Sequence, residues 1–121
     1  MRIMVVDDDK TTRKILGLYL KGGGHQSVFA ENGLDAIEKL AVNEVDLILT
    51  DLNMPFMDGI ELIKTLKADT SFREIPVIMI TTENDEVEKN KAVAAGANGY
   101  MVKPVSADSL NRAVKNFVKK T

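Results

Sequence analysis

Five short apolar runs alternate with five amphipathic stretches along this chain, and that order limits the fold more than any other feature. The strand-like runs are Arg2–Asp7, Gln26–Ala30, Val45–Thr50, Val77–Thr81 and Gly99–Val102. Several, such as Ile3-Met4-Val5-Val6 and Val77-Ile78-Met79-Ile80, are apolar at every position rather than at alternate ones. A continuous apolar run suits a strand covered on both faces, as in a parallel sheet. The stretches between them carry helical spacing. Ile15, Leu18 and Tyr19 share a face of the first helix, and Leu34, Ile37 and Ala41 share one of the second. Ile60, Ile63 and Leu66 do so in the third, and Leu110, Val114 and Phe117 in the fifth. The fourth, about Asp85–Ala95, is charged early and alanine-rich late. Gly22-Gly23-Gly24 closes the first helix, Gly96 closes the fourth, and Ser106 is the expected N-cap of the fifth. Strict alternation predicts an α/β fold: an open (βα)5 sandwich, a five-stranded parallel sheet with helices on both faces and right-handed crossovers.

In such sheets ligands bind at the carboxyl ends of the strands. That rule gathers Asp7, Asp8, Asp51, Thr81 and Lys103 on one rim, because each ends a strand or directly follows one. Two apolar runs stop at aspartate, the first at Asp7-Asp8-Asp9 and the third at Asp51. Like charges held that close cost roughly 1–4 kcal/mol per pair at ~4 Å. A hard divalent cation, above all Mg²⁺, offsets the repulsion, taking oxygen ligands from one or two carboxylates and keeping waters for a phosphate partner. Asp51 is the candidate nucleophile, since a carboxylate can attack phosphorus and form an acyl phosphate. The loop Leu52-Asn53-Met54-Pro55-Phe56-Met57-Asp58-Gly59 keeps it at a mouth rather than inside a helix. Asp7 and Asp8 are the metal candidates, while Asp9, nearest the first helix, reads as its cap. Lys103 can neutralise the cluster or hold a phosphoryl oxygen. The Thr81 hydroxyl can bond such an oxygen, although β-propensity alone also explains a threonine there. His25, the only histidine, lies on the opposite rim and is given no role.

Composition narrows the function classes. A chain of 121 residues fits one domain, expected to span 1–121. Without cysteine there is neither a disulfide framework nor a zinc-thiolate site. Sixteen basic against 18 acidic residues gives no support for direct nucleic-acid binding. No apolar stretch approaches the ~18 residues of a membrane span, and the N-terminus is charged too soon for a signal peptide, so a cytoplasmic protein is expected. The chain as given stops at Lys119-Lys120-Thr121, directly after the fifth helix, which leaves nothing for an output domain.

These motifs together resemble the receiver domain of bacterial two-component response regulators. The residues that carry the likeness are Val5-Val6-Asp7-Asp8-Asp9, Asp51-Leu52-Asn53-Met54-Pro55-Phe56-Met57-Asp58-Gly59, Pro76–Thr82 and Gly96–Pro104, with Asn32-Gly33 before the second helix. The resemblance implies a flavodoxin-like sheet in the order 2-1-3-4-5. It implies Asp51 as phosphoacceptor. Mg²⁺ would be held by Asp8, Asp51 and the backbone oxygen of Asn53, with Asp7 acting through water. Lys103 and Thr81 would contact the phosphoryl group, and Thr81 and Tyr100 would move together as the switch. The donor would be a phosphohistidine on a sensor histidine kinase. The output would be a changed face of helix 4, strand 5 and helix 5 that controls a target protein, and a phosphatase would be a possible further partner. Such a chain is a regulatory switch rather than an enzyme. Asn53 and Glu83, two residues after Asp51 and Thr81, resemble single-domain chemotaxis regulators of the CheY type, in which polar groups there tune dephosphorylation. Thr82 departs from the usual small residue and puts extra bulk near Asp51.

Two other readings stand beside this one. A phosphate shuttle, or a receiver cut from a longer protein, keeps Asp51 and changes the partner. A haloacid-dehalogenase-type phosphatase would use Asp7 as nucleophile and Asp9 as acid/base within Asp7-Asp8-Asp9-Lys10-Thr11. It lacks the later acidic pair, is short for that fold, and leaves the Asn53–Gly59 loop unexplained.

Overall fold

The computed structural model describes residues 1–118, so Lys119-Lys120-Thr121 lie outside the described part. The elements follow strict alternation: β1 (Arg2–Val6), α1 (Lys10–Gly22), β2 (Gln26–Ala30), α2 (Gly33–Leu40), β3 (Leu47–Thr50), α3 (Gly59–Lys67), β4 (Val77–Thr81), α4 (Glu86–Ala95), β5 (Gly99–Val102) and α5 (Ala107–Lys115). The strands form one sheet in the order β2-β1-β3-β4-β5, every neighbouring pair parallel.

Alternation of side chains along each strand sorts the core into two layers. Ile3, Val5, Leu47, Leu49, Ile78 and Ile80 face α1 and α5 and pack with Leu16, Leu20, Leu110 and Val114. Met4, Val6, Ile48, Val77 and Met79 face α2, α3 and α4 and pack with Leu40, Leu62, Ile63, Leu66 and Ala92. The central strands are buried on both faces, which is why β1, β3 and β4 carry apolar residues at successive positions. Each full burial of a Leu or Ile contributes roughly 1.5–3 kcal/mol.

Two helix faces differ from the sequence expectation. In α1 the buried residues are Leu16 and Leu20, while Ile15 and Leu18 are exposed and only Tyr19 packs against that layer. Ile15, Leu16, Leu18, Tyr19 and Leu20 crowd into little more than one turn of this helix, so spacing alone admits more than one face. Docking against both the sheet and α5 selects the one through Leu16 and Leu20. In α2 the buried residues are Gly33, Ala36 and Leu40; Leu34 and Ala41 are exposed, and Ile37 packs partly. Small residues there admit a close approach: a Cβ on Gly33 would lie 2.6 Å from Met57 Cγ.

Strand ends shift slightly as well. β3 begins at Leu47 rather than Val45, because the Asp46 carboxylate turns back to accept the Arg2 N–H at 2.8 Å. β1 ends at Val6, though Asp7 N–H still donates to Ala30 O at 3.1 Å. All five helices start from a polar N-cap, namely Asp9, Asn32, Asp58, Asp85 and Ser106, each accepting a backbone N–H of the first turn. Such caps contribute about 1 kcal/mol each. Gly96, at φ 116°, ends α4 in the left-handed region that glycine favours.

Candidate functional site

The carboxyl ends of β1, β3 and β5 converge. Asp7 follows β1 and is buried, Asp8 beside it is exposed, and Asp51 follows β3 at intermediate depth. One carboxylate oxygen from each lies within 4.8 Å of the others. Backbone bonds hold the strands' ends in register: Asp51 N–H donates to Val6 O at 2.9 Å, and Lys103 N–H to Thr81 O at 2.8 Å. Lys103 Nζ, just past β5, donates to Asp7 Oδ2 at 2.8 Å and sits 3.4 Å from Asp51 Oδ2. Asp7 Oδ1 accepts the Asp9 N–H, and Asp51 Oδ1 accepts the Leu52 N–H.

Charge at this rim is unbalanced, with three carboxylates facing one ammonium. Burial raises the Asp51 carboxyl above its ordinary value, and the Asp7 charge adds to that; Lys103 and the Leu52 N–H oppose it. For Lys103, burial acts to lower the value, but the Asp7 hydrogen bond and the charges of Asp51 and Asp7 outweigh it and hold the ammonium protonated above its usual range. Hard oxygen donors, close spacing and an excess of negative charge fit Mg²⁺. A shallow depression of about 390 Å³ opens beside the cluster, lined by Ile15, Tyr19, Lys103, Pro104 and Val105 among others.

The β4–α4 loop ties the remaining candidates together. Thr81, fully buried, accepts the Glu83 N–H on its hydroxyl at 3.3 Å. Tyr100, partly buried, packs against the α2–α3–α4 layer and donates its hydroxyl to Glu83 O at 2.8 Å. Burial raises the Tyr100 phenol, and the charges of Glu83, Glu88 and Asp85 reinforce that. Asn53, exposed, donates its side-chain amide to Glu83 Oε1 at 3.3 Å. Thus the pair picked out by its resemblance to CheY-type regulators meets in space, and Glu83 touches Asn53, Thr81 and Tyr100 through three different groups.

Comparison with known proteins agrees with this architecture. Residues 3–115 match the family model described as "Response regulator receiver domain". The chain belongs to the response regulator receiver family. It is 43% identical over 117 residues to the chemotaxis protein CheY1 of Helicobacter pylori, covering 95% of this chain and 94% of that protein. It is 40% identical over 120 residues to the chemotaxis protein CheY homolog of Campylobacter jejuni, covering 98% and 92%. Among solved structures, Vibrio cholerae CheY4 superposes with a TM-score of 0.91 at 29% identity, covering 97% of this chain and 98% of that one. The receiver domain of a histidine kinase from Syntrophus aciditrophicus gives 0.90 at 33% identity, covering 99% and 93%.

Within this receiver, some residues matter that sequence reasoning passed over. Arg13 Nη1 donates to the Asp7 carbonyl at 2.6 Å and braces the acidic turn from α1. Gly59 lies against the Asp51 backbone: a Cβ there would be 2.2 Å from the Asp51 carbonyl oxygen. Phe56, at φ 69° and 83% exposed, is strained in the loop after Asp51, and a left-handed non-glycine residue costs on the order of 1–3 kcal/mol. Only Gly59 left a readable signal, as the glycine of Asp58-Gly59 at a helix start.

The phosphatase reading with Asp7 and Asp9 is not supported by this geometry. Asp7 is held on both oxygens, and Asp9 is the N-cap of α1, accepting the Thr12 N–H and hydroxyl. The Thr12 hydroxyl bond, with its backbone bond, lowers the Asp9 carboxyl below the usual range, the wrong direction for a proton donor. His25 lies away from the rim, its Nδ1 3.1 Å from the Met1 amine.

Proposed function

We propose that this chain, 1–121 as one receiver unit, is a phosphorylation-dependent switch whose phosphoacceptor is Asp51. The observation that carries the reading is the acidic cluster of Asp7, Asp8 and Asp51 with Lys103 bridging two of its members, in a chain of the receiver family. An Asp51 carboxylate oxygen attacks the phosphorus of a phosphohistidine on a sensor kinase. The P–N bond breaks, and the imidazole leaves with the electron pair and takes up a proton. Asp7, Asp8 and Asp51, with the Asn53 backbone oxygen, would hold Mg²⁺. Bound there, the ion offsets the charge shared between carboxylate and phosphoryl oxygens. Lys103 supplies a fixed ammonium for a phosphoryl oxygen.

Phosphorylation adds about −1.5 to −2 charge. The Thr81 hydroxyl then turns to donate to the phosphoryl group and gives up the Glu83 N–H. That frees the loop to which Tyr100 is bonded and biases the α4–β5–α5 face between two states; a target protein reads the difference through its own differential affinity. The Asn53–Glu83 pair stands where it can order the hydrolytic water and so sets phosphate lifetime, alone or with a phosphatase. The likeness to chemotaxis proteins over nearly the full chain supports a CheY-type regulator working in the cytoplasm. No helix among the described residues is long and apolar enough to cross a membrane. A second reading, a receiver module of a longer kinase or a phosphate shuttle, is favoured by the likeness to the histidine-kinase receiver.

Intact mass after incubation with Mg²⁺ and acetyl phosphate tests the proposal. One phosphoryl adduct on the wild type, absent from Asp51→Asn, is the expected result. An adduct that survives Asp51→Asn and vanishes in Asp7→Asn overturns it. Phosphotransfer to a histidine of a second protein, with no change in target binding, favours the shuttle.

A further inference from the structure

A groove of about 700 Å³ runs between α1 and the open edge of β2. Lys10, Arg13, Lys14 and Lys21 line it, no carboxylate does, and Leu18 and Phe29 form its apolar part. The whole chain has a net charge of −2, so this concentration of cations runs against the sign of the molecule. Lys10, Lys14 and Lys21 form no ion pair among the described residues. Gly17 explains how the floor forms. A Cβ at this helix-interior position would lie 2.6 Å from Phe29 Cζ, so glycine lets the ring rest on the helix backbone. That choice costs about 1 kcal/mol against alanine. Leu18 beside it is 60% exposed and Phe29 38%.

The edge of β2 does not invite another strand. Lys39 Nζ donates to Phe29 O at 2.5 Å while pairing with Asp35 at 3.2 Å, and a lysine over an edge strand blocks pairing. An occupant must therefore dock through side chains. Lys10, Lys14, Leu18 and Lys21 recur at intervals of three and four and so share one face of α1. Their span, at a 1.5 Å rise per residue, is about 16 Å, or three turns of a facing helix.

We propose that this groove docks an amphipathic helix of a partner protein, with an apolar stripe on Leu18 and Phe29 and carboxylates flanking it toward the lysines. β2 and β5 are opposite edges of the sheet. The site therefore leaves the α4–β5–α5 face open, and a partner here can hold the regulator in place while that face changes state.

Amide chemical-shift mapping on the labelled chain at low salt tests this, with three synthetic helices of equal length. One carries a leucine stripe flanked by glutamates, one the same stripe flanked by lysines, and one serines flanked by glutamates. Only the first should shift Leu18, Lys21, Ser27 and Phe29. Lys14→Glu with Lys21→Glu should weaken it at least about tenfold, because repulsion is added to the loss of two exposed ion pairs. Leu18→Ser, at an exposed position that keeps every charge, should also weaken it. Equal shifts from the serine peptide reduce the groove to diffuse charge and overturn the proposal. So do shifts centred on another face, or no peptide binding alongside co-sedimentation with phosphatidylserine vesicles, which assigns the patch to a membrane surface.

Discussion

Gly59→Ala puts the packing behind Asp51 to a direct test. The added methyl would stand 2.2 Å from the Asp51 carbonyl oxygen and 3.0 Å from Met79 Cε. The end of Met79 can swing away, but the carbonyl belongs to the backbone leaving β3. Ordinary contact needs about 3.5 Å, so the Asp51 segment and α3 must part by more than 1 Å. Overpacking of that kind costs about 1–3 kcal/mol, and the gain from alanine's helix preference is at most about 1 kcal/mol. A net loss of about 1–2 kcal/mol should lower the urea midpoint by roughly 0.5–1 M for a domain of this size. Displacing the nucleophile by about 1 Å should also slow phosphorylation by acetyl phosphate, on the order of 100-fold. Gly22→Ala is the matched control. Nothing lies within 4 Å of its Cβ position and its φ is not left-handed, so it should stabilise by about 0.4–1 kcal/mol. The reasoning is refuted if Gly59→Ala keeps the wild-type midpoint and rate. If stability falls but the rate holds, the claim that Gly59 positions Asp51 fails while the packing claim stands.

Asp51→Asn, in metal-free buffer, should raise stability by on the order of 1 kcal/mol, as substitutions that relieve a functional site often do; burial disfavours the Asp51 charge, and an unchanged or lower urea midpoint would contradict that. Lys103→Met should cost about 3–5 kcal/mol without metal, because it leaves Asp7 and Asp51 uncompensated at low exposure; Mg²⁺ should return part of the loss, and a metal-independent deficit would show that the ion does not share the cluster. Calorimetric Mg²⁺ affinity should fall more in Asp8→Ala than in Asp9→Ala, since Asp9 is committed to Thr12; equal losses would undo the assignment. Burial, with the nearby terminal ammonium, lowers the His25 imidazole below its ordinary 6.5. The unfolded chain therefore binds that proton first, and the stabilising effect of neutral His25 is lost as pH falls through 6.5 toward the lower folded value. His25→Gln should flatten the difference in stability across that window, and parallel pH profiles would remove His25 as its source.

Much of the site was legible because strand ends are legible. An apolar run that stops at aspartate marks both an edge and a charge, so Asp7, Asp8, Asp51, Thr81 and Lys103 could be placed on one rim from order alone. The faces of α1 and α2 were not. Ile15, Leu16, Leu18, Tyr19 and Leu20 are all large and apolar, and several stripes satisfy a 3.6-residue period equally well. Gly33 and Ala36 of α2 carry too little hydrophobic signal to compete with Leu34, yet both are buried, and the absence of a side chain at Gly33 is what lets Met57 close against it. Arg13 and Phe56 were invisible for another reason: a side chain bonded to a distant carbonyl and a left-handed φ leave no pattern in neighbouring residues.

The sequence by itself determined the alternation of elements, the helix starts at Asp9 and Ser106, and the identity of the charged rim. These depend on local period and on residues adjacent along the chain. Only the tertiary structure decided that Lys103 bonds Asp7 across 96 positions of chain, that Glu83 is shared by Asn53, Thr81 and Tyr100, and that Leu18 with Phe29 forms a basic-walled groove rather than core. Those contacts depend on how layers settle against one another, where the volume of a neighbour such as Gly17 or Gly59 sets the distance and no local pattern records it.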